Sequence, residues 1–238
     1  MSTLGYRSTI INLSRLARYN MRIIFGGKFG FFILAALIFF LLFGTIMAFE
    51  ESEMELGDIY GILSFPAILL VFYPSAFGIQ NDADQQTLEI IFGIPDYRYK
   101  VWLLRYLMVL LLVFLLLVPF ASIAYYALMS FPIFRMILQL MVLVLFTSSL
   151  GFMISTLVKS GNAAAVILVI IGLAFLILGD PLEHSKWNIF LNPFKVPGDV
   201  NEVVWQETIR QNRLFMGLSS IVFILFGLLN LQKRERFL

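Results

Sequence analysis

The chain has no cysteine, a single histidine and few charges, Asp, Glu, Lys and Arg making up 13% of its 238 residues. Without cysteine there is no disulfide framework, no thiol nucleophile and no Cys-ligated metal. His184 has Glu183 beside it but no second ligand at metal-binding spacing. Neither an HExxH pair nor a GxSxG elbow occurs, which removes the commonest zinc-protease and serine-hydrolase arrangements. Gly26-Gly27-Lys28-Phe29-Gly30 has neither the spacing of a phosphate-binding loop nor a hydroxyl residue after its lysine, so the chain carries no nucleotide-binding motif. The acidic run Glu50, Glu51, Glu53, Glu55 and Asp58 has no partner histidine or arginine near it and reads as a solvated loop. The expectation is a protein that is not an enzyme by itself, holds no cofactor or metal, and binds no nucleic acid.

What the chain has in abundance is apolar sequence. It is 60% hydrophobic and 16% aromatic, with a mean hydropathy of +0.90, outside the range of a soluble core with its polar shell. This composition defines an integral membrane protein, and 238 residues accommodate about six spans of roughly 20 residues with short loops. The expected fold class is an all-α membrane protein, a single transmembrane domain over 1–238, with spans at 29–49, 59–79, 101–128, 133–158, 163–179 and 214–231. Pro66 and Pro74 fall inside the second span, where each removes a backbone hydrogen bond. The third run, about 28 residues and about 42 Å long, exceeds a hydrocarbon core of about 30 Å, and Arg105 suggests that its first turn protrudes into water. The segment 180–213 is the longest loop, broken by Pro181, Pro193 and Pro197, and 203–214 continues as helix into the last span.

The charges orient these spans. Arg7, Arg15, Arg18, Arg22, Lys28, Arg98, Lys100, Arg105, Lys159, Lys233, Arg234 and Arg236 fall on one side, whereas only Arg135, Lys186, Lys195, Arg210 and Arg213 fall on the other. The positive-inside bias favours both termini in the cytosol and a multi-pass protein of the cell (inner) membrane. No cleavable signal is evident in 1–28, which is basic throughout. Arg15, Arg18 and Arg22 share one helical face of the segment 6–28, which reads either as an elbow helix lying among anionic lipid headgroups or as the ordinary positive flank of the first span. No ionisable residue falls at a span centre, where one costs about 2.5 to 3.5 kcal/mol, which argues against ion-coupled transport.

One polar island interrupts the apolar sequence, Asn81 to Lys100. Asp82 with Gln85 three residues later resembles a helix N-cap, Asp84 puts negative charge in the first turn, and Leu88, Ile91 and Phe92 share a face beside Glu89. Gly93 and Pro95 end the pattern, which predicts a helix over 81–95 on the same side as the N-terminus. Such a helix either transmits a push from a cytosolic partner to the third span or merely rests at the interface.

The stretch Gln86-Thr87-Leu88-Glu89-Ile90-Ile91, with Pro95, Arg98 and Lys100 after it, resembles the coupling-helix stretch of ATP-binding-cassette (ABC) exporter permeases of the second type. Leu150-Gly151-Phe152-Met153-Ile154-Ser155-Thr156-Leu157-Val158-Lys159-Ser160, followed by Asn162-Ala163-Ala164-Ala165, is similar to that family's fourth-span end and restart. Gln86 stands where the family usually has glycine. The resemblance implies a permease subunit, one half of a dimer with an identical or paralogous second half, above separate cytosolic ABC ATPase subunits that hold ATP and Mg. It also implies that the ATPase docks on Asp84, Thr87, Leu88, Glu89, Ile91 and Phe92. A second reading keeps the ATPase docking but makes the chain a non-transporting mechanotransmission subunit that drives an extracytoplasmic partner held by 180–213.

Overall fold

A computed structural model describes residues 28–49, 54–84, 91, 93, 97–158, 160–179, 181–198 and 200–232. Among these residues the chain is all helical, without strands. The helices are α1 (Phe29–Ala48), α2 (Leu56–Asp84), α3 (Leu104–Ala127), α4 (Ile133–Val158), α5 (Gly161–Ile177) and α6 (Glu202–Asn230), with a wide π-helical stretch, Arg98–Leu103, leading into α3. Five of them are long and apolar enough to cross a membrane, and α5 is a shorter apolar helix. The chain is therefore a multi-pass membrane protein. The two ends of the bundle are distinguished here by Asp82 and Asn192.

The helices form because long apolar runs have no other way to satisfy their backbone in lipid. α2 and α4 are central, over half of each one's most apolar stretch being buried, against 17% for α1. Leu63 and Leu70 of α2, Val113 and Leu117 of α3, and Leu140 and Val144 of α4 make the main core. The outward faces carry Phe31, Leu34 and Ile38 of α1, Leu107, Leu111 and Leu115 of α3, and Leu218, Val222 and Leu225 of α6, all exposed and all suited to acyl chains.

Since lipid is as apolar as leucine, helix association here relies on close packing rather than on burial from water. Gly151 supplies that closeness between α4 and α2: a Cβ there would stand 2.8 Å from the Ser75 Cβ. A Cβ on Gly227 would stand 2.6 Å from the Phe152 ring. The buried hydroxyls of Ser149, Ser155, Thr156 and Ser220 bond back to carbonyls of their own helices, so they are satisfied without a partner helix. Valine at Gly151 is expected to cost about 1–3 kcal/mol through overpacking. Valine at Gly172, which faces open space, serves as the control, and unfolding midpoints in detergent compare the two. Equal midpoints would show that α2 and α4 do not meet at this glycine.

At the Asn192 end the segment 181–198 folds onto the bundle. Asn212, with no exposed surface, donates to the carbonyls of Lys186 at 2.9 Å and Asn188 at 2.8 Å. Asn192 donates to the Gly57 carbonyl at 2.8 Å. Arg213 reaches Gln139 Oε1 at 2.9 Å, which gives the lone amide of the fourth span its partner. Ile189 joins Leu143, Phe146 and Met216, so this loop contributes to the core.

Three details differ from the sequence expectation. α2 runs unbroken through Pro66 and Pro74 to Asp84, so Asn81–Asp84 belong to the second long helix and not to a separate helix over 81–95. Asp82 accordingly stands in the last turn of α2 rather than at an N-cap. Arg105 is buried instead of protruding into water, because a partner for it is built into α2.

Candidate functional site

At the Asp82 end, three helices bring polar groups together, and Tyr73, Asn81, Trp102, Arg105, Tyr106 and Ser155 among them border one cleft. α2 brings Tyr73, Asn81 and Asp82; the π-helical stretch and α3 bring Trp102, Arg105 and Tyr106; α4 brings Ser148 and Ser155. Trp102, Arg105 and Tyr106 are at i, i+3 and i+4, hence on one helical face, and Ile79 and Asp82 are at i and i+3 on theirs.

The centre is an ion pair. Arg105 Nη1 donates to Asp82 Oδ2, the aspartate side chain having no exposed surface and the arginine side chain 7%. The guanidinium carbon lies 5.0 Å from the centre of the Trp102 ring, a cation–π distance. Tyr106 Oη and Ser148 Oγ share a hydrogen bond of 2.8 Å. On the other side, Tyr73 Oη accepts from the Lys28 backbone N–H at 2.9 Å and from Asn81 Nδ2 at 3.1 Å, which ties the entry to α1 to α2. Tyr97 donates to the Leu231 carbonyl at 2.6 Å, and Asn230 donates to the Thr156 carbonyl, so the end of α6 is fastened to the same region.

Buried charge of this kind is expensive in desolvation and persists only with good geometry around it. Here a cleft of about 50 Å³ of free space lies beside the pair, bordered by Arg105, Trp102, Tyr106, Asn81 and Ser155 among apolar neighbours. Its donors and hydroxyls offer electrostatic recognition but no nucleophile–base pair. Among the described residues no group of His, Cys, Asp and Glu is arranged to hold a metal ion.

Of the residues expected to dock an ATPase, Asp84 and Ile91 are among those described. Asp84 is exposed, within 3.5 Å of Gln80 Nε2. Ile91 is turned inward, 6% exposed, packing with Ile79, Tyr97, Trp102, Phe152 and Leu231. It tethers its segment to the bundle, since an isoleucine near this apolar cluster is better buried in its own chain than left for a partner. Thr87, Leu88, Glu89 and Phe92 lie outside the described residues, as do Arg15, Arg18 and Arg22 of the elbow segment.

Sequence reasoning missed the Asp82–Arg105 pair. Its signal was an arginine inside the apolar run Leu103-Leu104-Arg105-Tyr106-Leu107 together with an aspartate one turn past Ile79. Two opposite charges, each on a buried helical face, imply each other when the helices are neighbours. Comparisons with protein-family models, with curated proteins and with solved structures return no match for this chain.

Proposed function

We propose that this chain is the transmembrane permease subunit of an ABC exporter of the second type, one half of a dimer driven by separate cytosolic ATPase subunits that hold ATP and Mg²⁺. The Asp82 end then faces the cytosol, and the segment 85–96 is where the ATPase acts.

The observation that carries this reading is the ion pair at the two ends of that segment. Asp82 closes α2 and Arg105 opens α3, so their contact holds together the helices that the segment joins. A force applied between them is delivered to both helices at once. The burial of Ile91 supports the same picture, since it anchors the segment to the cluster beneath it. In this proposal Asp84, Thr87, Leu88, Glu89 and Phe92 make the docking surface, with Ile91 as its inward anchor, and Arg15, Arg18 and Arg22 hold the N-terminal segment among lipid headgroups.

Co-expression with the cognate ATPase tests it. Glu89→Lys, or Leu88→Ala with Phe92→Ala, is expected to weaken ATPase retention at least about tenfold, the usual worth of an interface hot spot, while membrane insertion stays intact. Unchanged retention in both variants refutes the docking assignment.

A second reading has one observation in its favour: the loop at the Asn192 end is held in place by Asn192, Asn212 and Arg213 while exposing Trp187 and Val196. A fixed apolar surface there suits an extracytoplasmic partner driven by a non-transporting subunit. ATP-dependent cargo movement in sealed vesicles separates the two readings, being present for a permease and absent for a mechanotransmitter.

A further inference from the structure

The surface of α6 changes character at one place. Leu214, Leu218, Val222, Leu225 and Leu229 are exposed along its length, whereas Arg210, Gln211, Asn212 and Arg213 come immediately before them. A charged side chain in hydrocarbon is costly, so the boundary between lipid and water crosses α6 between Arg213 and Leu214. α5 gives the same level from the opposite direction. Its last residue, Ile177, is exposed and apolar, and beyond it Glu183 and His184 are exposed and polar. Phe175 of α5 and Phe215 of α6 pack into one cluster with Ile189, which sets the two boundaries at one height.

Trp187 stands at this height. Its ring meets Phe215 edge to face, with centroids 4.7 Å apart, and the residue remains 51% exposed. The Lys186 ammonium lies 5.3 Å from the centre of the same ring, a cation–π distance, and Lys186 is exposed as well. The backbone here is pinned: the Lys186 carbonyl accepts from the buried Asn212 amide at 2.9 Å, and the Trp187 N–H donates to Ser185 Oγ at 3.3 Å. Fixed in water, the indole would keep its apolar face wet. In the headgroup layer the ring lies against the upper acyl carbons while its N–H stays hydrogen-bonded, and a lysine stem is equally suited to that layer. Tyr126, in the last turn of α3 at this same end, is another exposed amphipathic ring.

We propose that Trp187, with Lys186 beside it, is a lipid-binding anchor in the headgroup layer of the leaflet at the Asn192 end. The segment 181–198 is thereby held to the membrane at its 186–187 corner. This takes Trp187 out of the surface that the mechanotransmission reading offers to an extracytoplasmic partner. The anchor does not rest on the ATPase reading, since it needs only the chain and the bilayer.

Tryptophan fluorescence of the full chain in phosphatidylcholine vesicles tests the proposal. The spectrum of Trp187→Phe, which keeps a ring against Phe215, is subtracted so that Trp187 alone is read. Phosphatidylcholine brominated high on the acyl chain is expected to quench Trp187 at least about twofold more than phosphatidylcholine brominated near the chain end, as suits a ring at the interface. Aqueous iodide is expected to quench it little. Quenching by iodide that exceeds quenching by either bromolipid leaves the ring in water and overturns the anchor. Bromolipid quenching that is equal at the two depths, or greatest near the chain end, overturns the interfacial position. Protection from all three quenchers overturns the lipid as occupant, because the ring is then covered by protein.

Discussion

Alanine at Arg105 is expected to destabilise the bundle by about 3–5 kcal/mol, the cost of breaking a buried ion pair by removing one partner. The Asp82 carboxylate has no exposed surface and sits against Arg105 Nη1, so it keeps its desolvation cost when the guanidinium is gone. The paired neutral change Asp82→Asn with Arg105→Gln is expected to cost only about 1–2 kcal/mol, because no charge remains buried and a neutral hydrogen bond between the two positions is still possible. The single changes Asp82→Asn and Arg105→Gln are then strongly non-additive, and a double-mutant cycle built from them and read by unfolding in detergent measures the coupling. Additive effects would mean that the two residues are stabilised by other groups and that the pair does not fasten α2 to α3.

Leucine at Asn212 is expected to cost about 2–4 kcal/mol and to open the segment 181–198 to proteolysis. The Lys186 carbonyl loses its Asn212 donor, the Asn188 carbonyl keeps only the Leu191 N–H at 3.3 Å, and Arg213 Nη1 loses the Asn212 Oδ1 acceptor, each such hydrogen bond being worth about 0.5–1.5 kcal/mol. Leucine fills nearly the same volume, so the loss reflects the hydrogen bonds and not a cavity. Thr208→Ala is the companion control: its exposed hydroxyl bonds only to the Val204 carbonyl one turn back, and a change within about 0.5 kcal/mol is expected. If Asn212→Leu leaves the loop as protease-resistant as before, the clasp is elsewhere, in the Asn192–Gly57 and Arg213–Leu191 hydrogen bonds and the apolar contacts of Ile189 and Leu191.

These two variants probe opposite ends of the bundle, and they differ in how visible their residues were beforehand. At the Asn192 end the loop's position between two spans was legible from its prolines and polar residues, but its attachment was not. Asn212 looks like one more polar residue in a run of them until its side chain is seen reaching back 26 positions to Lys186. At the Asp82 end the polar island was legible as an interruption of apolar sequence, yet its internal division was misplaced. Local rules made Asp82 a cap because aspartate suits helix starts. The tertiary structure makes it the last turn of α2 because Arg105 offers a buried carboxylate a counterion there. Helical periodicity put Ile91 on one face with Leu88 and Phe92, which lie outside the described residues, and the structure buries it in the cluster with Ile79, Trp102 and Leu231.

The sequence by itself determined the class, the number of long apolar helices to within one and most of their limits. α1 and α4 begin and end within a residue of the expected spans, since lipid leaves an apolar run of that length little alternative to a helix. What only the tertiary structure decided is where the scarce polar groups meet. Helix formation depends on neighbours a few residues apart and is written locally, whereas the pairing of Asp82 with Arg105, of Asn212 with the segment 181–198 and of Gly151 with Ser75 depends on which helix faces overlap. Without a hydrophobic force to rank those faces in lipid, close packing and the need to satisfy each buried charge and amide select the arrangement, and both are properties of the assembled bundle.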